Sequence, residues 1–279
     1  MGRHLRELQQ LRCIDLSVSI STKTAEPQPP KIEYVDHRHA AKELAAVATQ
    51  LLRQGSDKMV PPLTEKAFPD SLGLANENLY LDSHAGTHMD APWHFGPLCQ
   101  GQTAKTIDQV PLEWCFGPGV ILDLRHKQPG EEITPLDLEK ALKQIHHTLQ
   151  PKDIVLLMTG ADKHCDQPDY FSAYAGMGRE ATLWLLDRGI KVIGIDGWGF
   201  DRPAGNMLRD YLRTQDSSCL LPAHMVGRER EYCHIEKLAN LEQVPVSHGF
   251  LFCCFPVKIE RGSAGWVRAV ALVEDPLCS

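Results

Sequence analysis

The 279-residue chain has no apolar run approaching the roughly 20 residues that span a bilayer, so no transmembrane helix is expected. Its start, Met1-Gly2-Arg3-His4-Leu5-Arg6, has no signal-peptide hydrophobic region, which leads us to expect a soluble, cytoplasmic protein. Basic runs are missing too. With a formal charge of −7 and only Arg228-Glu229-Arg230 as a positive cluster, itself interrupted by acid, the chain has nothing to neutralise a phosphate backbone, and nucleic acid is excluded as a partner. The nine cysteines are odd in number and irregularly spaced, so they form no disulfide framework. Cys253 and Cys254 would point to opposite faces of a strand. Cys99 and Cys165 have no companion motif for a catalytic thiol. Internal repeats and low-complexity tracts are also lacking. A hydrophobic content of 43% supports one substantial core, and we expect a single domain over residues 1–279.

What the chain does have is four ligand-capable side chains within eleven residues: His84, His88, Asp90 and His94, in Ser83-His84-Ala85-Gly86-Thr87-His88-Met89-Asp90-Ala91-Pro92-Trp93-His94. Imidazole and carboxylate suit zinc and harder ions such as manganese. A histidine pair four apart is by itself a weak signal, and a polar loop of satisfied histidines is the ordinary alternative. Neither regular element would gather all four. Gly86, Thr87 and Pro92 oppose a continuous helix, and a strand at about 3.3 Å per residue would spread them beyond one ion's reach. The spacing therefore predicts a short strand, Asn78–Ser83, then a bend at Gly86 and another near Pro92 that fold His84, His88 and Asp90 inward, with His94 close by.

Elsewhere Ile14–Ile20 alternates as a half-buried strand at a sheet edge or outer layer. Ala40–Leu52 favours a helix ending near Gly55. Val60–Asn76 reads as a loop. Gly119–Leu124 reads as a buried strand, and Asp153–Met158 and Lys191–Ile195 as two more strands. They alternate with a helix that begins at the Thr134 N-cap with Pro135 in its first turn, and with a helix Arg179–Arg188 stopped by Gly189. Phe250–Ile259 and Trp266–Val273 read as two closing antiparallel strands, and the whole as a mixed α/β fold.

The pattern His-x-Gly-Thr-His-x-Asp-x-Pro-x-His is met at every fixed position. On it, the chain resembles the metal-dependent cyclase-like hydrolases, the family of bacterial kynurenine formamidase and isatin hydrolase. The resemblance runs from Ile14-Asp15-Leu16-Ser17 to Gly265-Trp266-Val267-Arg268-Ala269-Val270 and implies a swivelling β/β/α architecture, a homodimer, and one or two divalent ions, Zn2+ or Mn2+. It assigns His84, His88 and Asp90 to one ion. A second ion shares Asp90 and takes a histidine and a glutamate twelve residues apart, which here are His224 and Glu236. His234 is a nearby competitor, expected to point elsewhere if Ile235 is buried.

An ion so held would activate water against an amide, imide or lactone carbonyl of a small-molecule substrate, with arylformamidase-like C–N cleavage as the nearest activity. His94 is the candidate proton shuttle, its rival role being a further ligand. Trp93, Trp198 and Phe200 are candidate walls for an aromatic substrate, and Arg179 and Arg202 candidate carboxylate receptors, against the plainer readings of core packing and surface ion pairs. The alternative chemistry is a metal-dependent cyclase or dehydratase, a lyase in which His94 removes a carbon-bound proton from a polyketide-like or aromatic substrate.

Overall fold

The computed structural model describes residues 10–54 and 60–274. They form two compact units, one comprising residues up to Pro29 together with those from Asp82 on, and a smaller one over Pro30–Leu81. In the smaller unit β2 (Lys31–Val35) pairs antiparallel with β3 (Asn76–Tyr80), and α1 (His37–Gln54) lies between them in sequence. Ala40, Ala41, Ala45 and Thr49 make the buried stripe of α1, spaced as a 3.6-residue period requires. The expected stop near Gly55 lies outside the described residues. The expected loop that follows carries two single turns, Glu65–Ala67 and Pro69–Ser71. The strand predicted at Asn78–Ser83 runs two residues earlier, and the chain turns before His84.

The larger unit is built on a nine-stranded sheet. In chain order its strands are β1 (Leu11–Asp15), β4 (His88–Asp90), β5 (Phe116–Asp123), β6 (Ile154–Met158), β7 (Val192–Ile195), β8 (Cys233–Glu236), β9 (His248–Cys253), β10 (Ala264–Trp266) and β11 (Val270–Glu274). Across the sheet the order is β1-β11-β9-β5-β6-β7-β8-β4-β10. The central four, β5 to β8, are parallel, and antiparallel strands flank them on both sides. The fold is thus the mixed α/β sheet expected.

Three residues carry the chain from β10, at one end of the order, to β11, next to the other end, so the sheet is curled. Inside the curl lie Met89, Ile121, Leu156, Ile235, Phe250 and Phe252; outside it Leu122, Val155, Leu157 and Ile193 meet the helices. Because β6 is buried on both faces, its sequence Ile-Val-Leu-Leu-Met is uninterrupted by polar residues. The outer layer includes α3 (Pro135–Gln144), with Thr134 as its N-cap as expected, and α4 (Arg179–Leu186). Shorter or more exposed helices are α2 (Pro92–Phe95), α5 (Ala204–Thr214) and α6 (Pro222–Val226).

Three further boundaries differ from expectation. The run Trp266–Val273 is split between β10 and β11, because the chain crosses the open side of the curl at Val267–Ala269. The strand expected over Phe250–Ile259 ends at Cys253, where Pro256 cannot extend the ladder. Ile14–Ile20 likewise pairs regularly only to Asp15, at the sheet edge. Beyond it Leu16 N–H donates to Ala269 O and Leu16 O accepts from Ala239 N–H, both at 2.9 Å.

Candidate metal centre

The register of β4 against β8 makes the centre. His88 stands opposite Glu236 and Asp90 opposite His234, while Met89 faces Ile235 between them. Directly paired residues share a face, so both apolar side chains enter the inner core and all four polar ones point to the helix side. The expectation that a buried Ile235 would turn His234 away is therefore corrected. Ile235 is buried, and alternation then places His234 beside Glu236 on the opposite face.

The two bends fall where expected. Gly86 has φ +64°, in the left-handed region, and its carbonyl accepts from His88 Nδ1 at 2.8 Å. Thr87 ties the motif to its neighbours, its hydroxyl donating to Lys237 O at 2.5 Å and accepting from Val18 N–H at 2.8 Å. Lys237, itself in the left-handed region, donates from Nζ to Glu26 Oε1, Glu26 Oε2 and His84 O at 2.6, 2.8 and 2.9 Å. Pro92 opens α2, which carries His94 back over the site.

Asp90 is almost wholly buried and each of its oxygens serves a different group. Oδ1 lies 2.8 Å from His84 Nδ1 and 3.3 Å from His88 Nε2, whereas Oδ2 lies 2.9 Å from His234 Nε2 and 3.9 Å from His224 Nε2. Glu236 does likewise: Oε2 is 3.6 Å from His88 Nε2, and Oε1 is 3.4 Å from His234 Nε2 and 3.8 Å from His224 Nε2. Phe200 N–H also donates to Oε1, at 2.8 Å. Two donor groups result, His84/His88/Asp90 and Asp90/His224/His234/Glu236. All five sequence-expected ligands are brought together, and His94 Nε2 stands 3.7 Å from Asp90 Oδ2.

These side chains fit a cation. His88 donates its Nδ1 hydrogen to Gly86, so Nε2 carries the lone pair. That nitrogen and Asp90 Oδ1 are both buried without a hydrogen-bond partner. Two facing acceptors in the interior are costly unless positive charge lies between them. Burial works against the charge of Asp90, yet His88, His234 and His84 together hold its carboxyl well below the usual range. For Glu236 burial is likewise outweighed, chiefly by His234, and its pKa falls to about 2. Burial pushes His94 down to about 4 despite Asp90, so that ring is neutral.

One residue that sequence reading missed is Asp201. Its carboxylate accepts from Ala223 N–H at 2.6 Å, from His224 N–H at 3.2 Å and from His224 Nδ1, so it aims the ring's Nε2 into the centre. No local pattern could disclose this, because 23 residues separate the pair.

A cavity of about 350 Å³ opens onto the site, lined among others by His84, His94, Tyr174, Trp198, Phe200 and His224. Trp198 and Phe200 thus occupy the wall expected of them, whereas Trp93 points to solvent outside it. Arg202 borders this cavity but donates to Asp210 at 2.7 Å, and Arg179 is taken up in an exposed pair with Glu229. Cys99 and Cys165 lie outside the centre, and burial pushes both thiols up, away from the reactive thiolate.

A curled mixed sheet with imidazoles and carboxylates paired across the β4–β8 ladder defines an α/β class with a candidate metal site. Within it the chain belongs to the cyclase family: the profile described as putative cyclase matches residues 14–202. It is 31% identical to kynurenine formamidase of Bordetella petrii over 192 residues, covering 68% of this chain and 77% of that one. It is 27% identical to isatin hydrolase of Roseibium aggregatum over 205 residues, 70% of this chain and 73% of that one. Among solved structures, an isatin hydrolase bound to the product analogue thioisatinate superposes with a TM-score of 0.71 at 22% identity, covering 98% of this chain and all of the other. A potential metal-dependent hydrolase with cyclase activity gives 0.59 at 20% identity, over 95% of this chain and 100% of that chain.

Proposed function

We propose that the chain is a metal-dependent hydrolase of a C–N bond in a small amide or imide, with an arylformamide or an isatin-like ring as the nearest substrates. The observation that carries this reading is the buried, unpartnered His88 Nε2 facing Asp90 Oδ1 at 3.3 Å. His84, His88, Asp90, His224 and Glu236 would hold the ion or ions, zinc or manganese. When bound, such an ion acidifies water and polarises a carbonyl.

The chain's own residues do the rest. Trp198, Tyr174 and Phe200 offer flat apolar walls against which an aryl ring can rest with its carbonyl directed at the carboxylate–imidazole cluster. His94 stands at the mouth of the site, its side chain one-third exposed and its ring 4.3 Å from that of His84. From there it takes a proton from the attacking water and returns it to the departing amine nitrogen. The cytoplasm is its proposed compartment, and among the described residues no helix is long and apolar enough to cross a membrane. The homodimer and the single-domain organisation belong to the same proposal.

The test is hydrolysis of aryl formamides and isatin by metal-stripped and metal-reloaded protein in 18O-water. The expected result is turnover that vanishes on stripping, returns with zinc or manganese and labels the product acid. A drop of about a hundredfold or more in His94→Ala, with metal retained, checks the proton shuttle. Undiminished hydrolysis by the stripped protein overturns the proposal, and metal-dependent turnover without label assigns the chain to the cyclase or dehydratase chemistry instead.

A further inference from the structure

We infer that His234 is a fourth protein donor of the inner half of the centre. That half, Asp90 Oδ2, His224, His234 and Glu236 Oε1, then keeps a tightly held structural ion, while His84, His88 and Asp90 Oδ1 hold the exchangeable one that meets substrate. The inference rests on the metal-dependent reading above and goes beyond the five ligands named there.

Hydrogen bonding fixes which nitrogen of His234 is free. Tyr232 has one hydroxyl hydrogen, and it goes to Ala223 O at 3.0 Å. The contact of 3.3 Å between His234 Nδ1 and the same hydroxyl therefore has the ring donating and the tyrosine oxygen accepting. Nε2 is then the atom turned into the centre. It shares a proton with Asp90 Oδ2 at 2.9 Å and lies 3.4 Å from Glu236 Oε1, and a cation would take that proton's place between the three atoms. The ring cannot swing away. It is fully buried, stacks on Phe200 at 4.2 Å and 15°, and meets Phe95 at 5.1 Å.

The separations suit coordination. His234 and His224 lie 2.9, 3.4, 3.8 and 3.9 Å from the two carboxylate oxygens. Those values bracket the edge of about 3.3–3.4 Å that a tetrahedron with bonds of about 2.0–2.1 Å requires. The two halves also differ in access. Side-chain exposure in the inner set is 11% or less, and the outer set includes His84 at 25%, on the cavity. Four buried protein donors are the mark of a structural zinc site, and three donors with an open position that of a catalytic one. Orientation by Asp201 adds to the tightness of the inner set.

The experiment is zinc titration of the stripped full chain by calorimetry and elemental analysis, in wild type, His234→Gln and His84→Ala. Wild type is expected to take two ions in separated steps, a mild chelator removing one while the other stays and preserves the thermal transition. His84→Ala should keep the tight step. His234→Gln should weaken that step by at least about a hundredfold, because removing a ligand should exceed the usual 10–100-fold loss of a supporting partner.

Cobalt supplies a readout independent of the variants: the first equivalent bound by wild type should give the intense visible absorption of a tetrahedral ion. Two ions retained by His234→Gln with unchanged affinities would overturn the inference and leave the hydrolase reading intact. So would a weakly absorbing, octahedral first cobalt, which covers the case of a variant that does not fold. Wild-type protein that binds no ion at all would remove both.

Discussion

Asp201 grips His224 from behind: its carboxylate accepts the ring's Nδ1 hydrogen and leaves Nε2 as the lone-pair nitrogen facing Asp90 and Glu236. In Asp201→Asn an amide can still accept from Ala223 N–H but also places a donor against His224 Nδ1, favouring the tautomer whose Nε2 is protonated and cannot ligate. Metal affinity is expected to fall 10–100-fold, as measured by competition with a chromophoric chelator. An unchanged affinity would mean that His224 takes no part in holding the ion.

Glu26 and Lys237 form a second buried arrangement, with side chains 8% and 4% exposed. Besides the pair itself, Gly86 N–H donates to Glu26 Oε1 at 3.1 Å and Lys237 donates to His84 O, so the pair braces the bend that delivers His84. Lys237→Met leaves a carboxylate buried without its cation and should cost about 3–5 kcal/mol in urea unfolding. The double variant with Glu26→Gln should cost less than the two single changes added together. Strict additivity would show that the two residues do not act on each other.

Asp196 supplies a pH dependence. Burial raises its pKa to about 7, even though Thr159 N–H, Thr159 Oγ1 and Gly160 N–H all donate to its carboxylate. Its unfolded value is about 3.9, so between those limits the folded chain holds a proton that the unfolded chain has released. The contribution is therefore complete below about pH 4 and is lost as pH rises through about 7, by at most about 4 kcal/mol. Urea midpoints of wild type should fall relative to those of Asp196→Asn between pH 5 and 8. Parallel profiles would show that the group titrates alike in both states.

Gly227 tests how closely α6 must approach the site. A Cβ there would sit 2.0 Å from the ring of Phe95, which stacks on Tyr232 at 5.0 Å and lies beside His234. Gly227→Ala should lower stability by about 1–3 kcal/mol, with weaker metal binding as Phe95 shifts. A thermal transition within a degree of wild type would show that the ring gives way freely.

Local signals carried much of this. The motif from His84 to His94 announced both its chemistry and its bends, since Gly86 and Pro92 are punctuation that a single sequence displays. Thr134 with Pro135, and the unbroken run Ile154–Met158, likewise declared a helix start and a strand. What stayed hidden depended on pairing. The face of His234 is decided by its partner Asp90 across the ladder, and the role of Asp201 by the arrival of α6. The division of Trp266–Val273 was invisible because alternation continues through Val267 and Ala269 while the chain changes neighbours.

The ladder between β4 and β8 has one more implication. Asp90 and His234 are 144 residues apart in sequence, yet a slip of β4 by a single step would turn His88 and Asp90 toward the greasy interior, away from His234 and Glu236. Before these distant strands join, an ion would find at most His84, His88 and Asp90 of one segment, and one bound across both strands afterwards would fasten the alignment like a rivet through two plates.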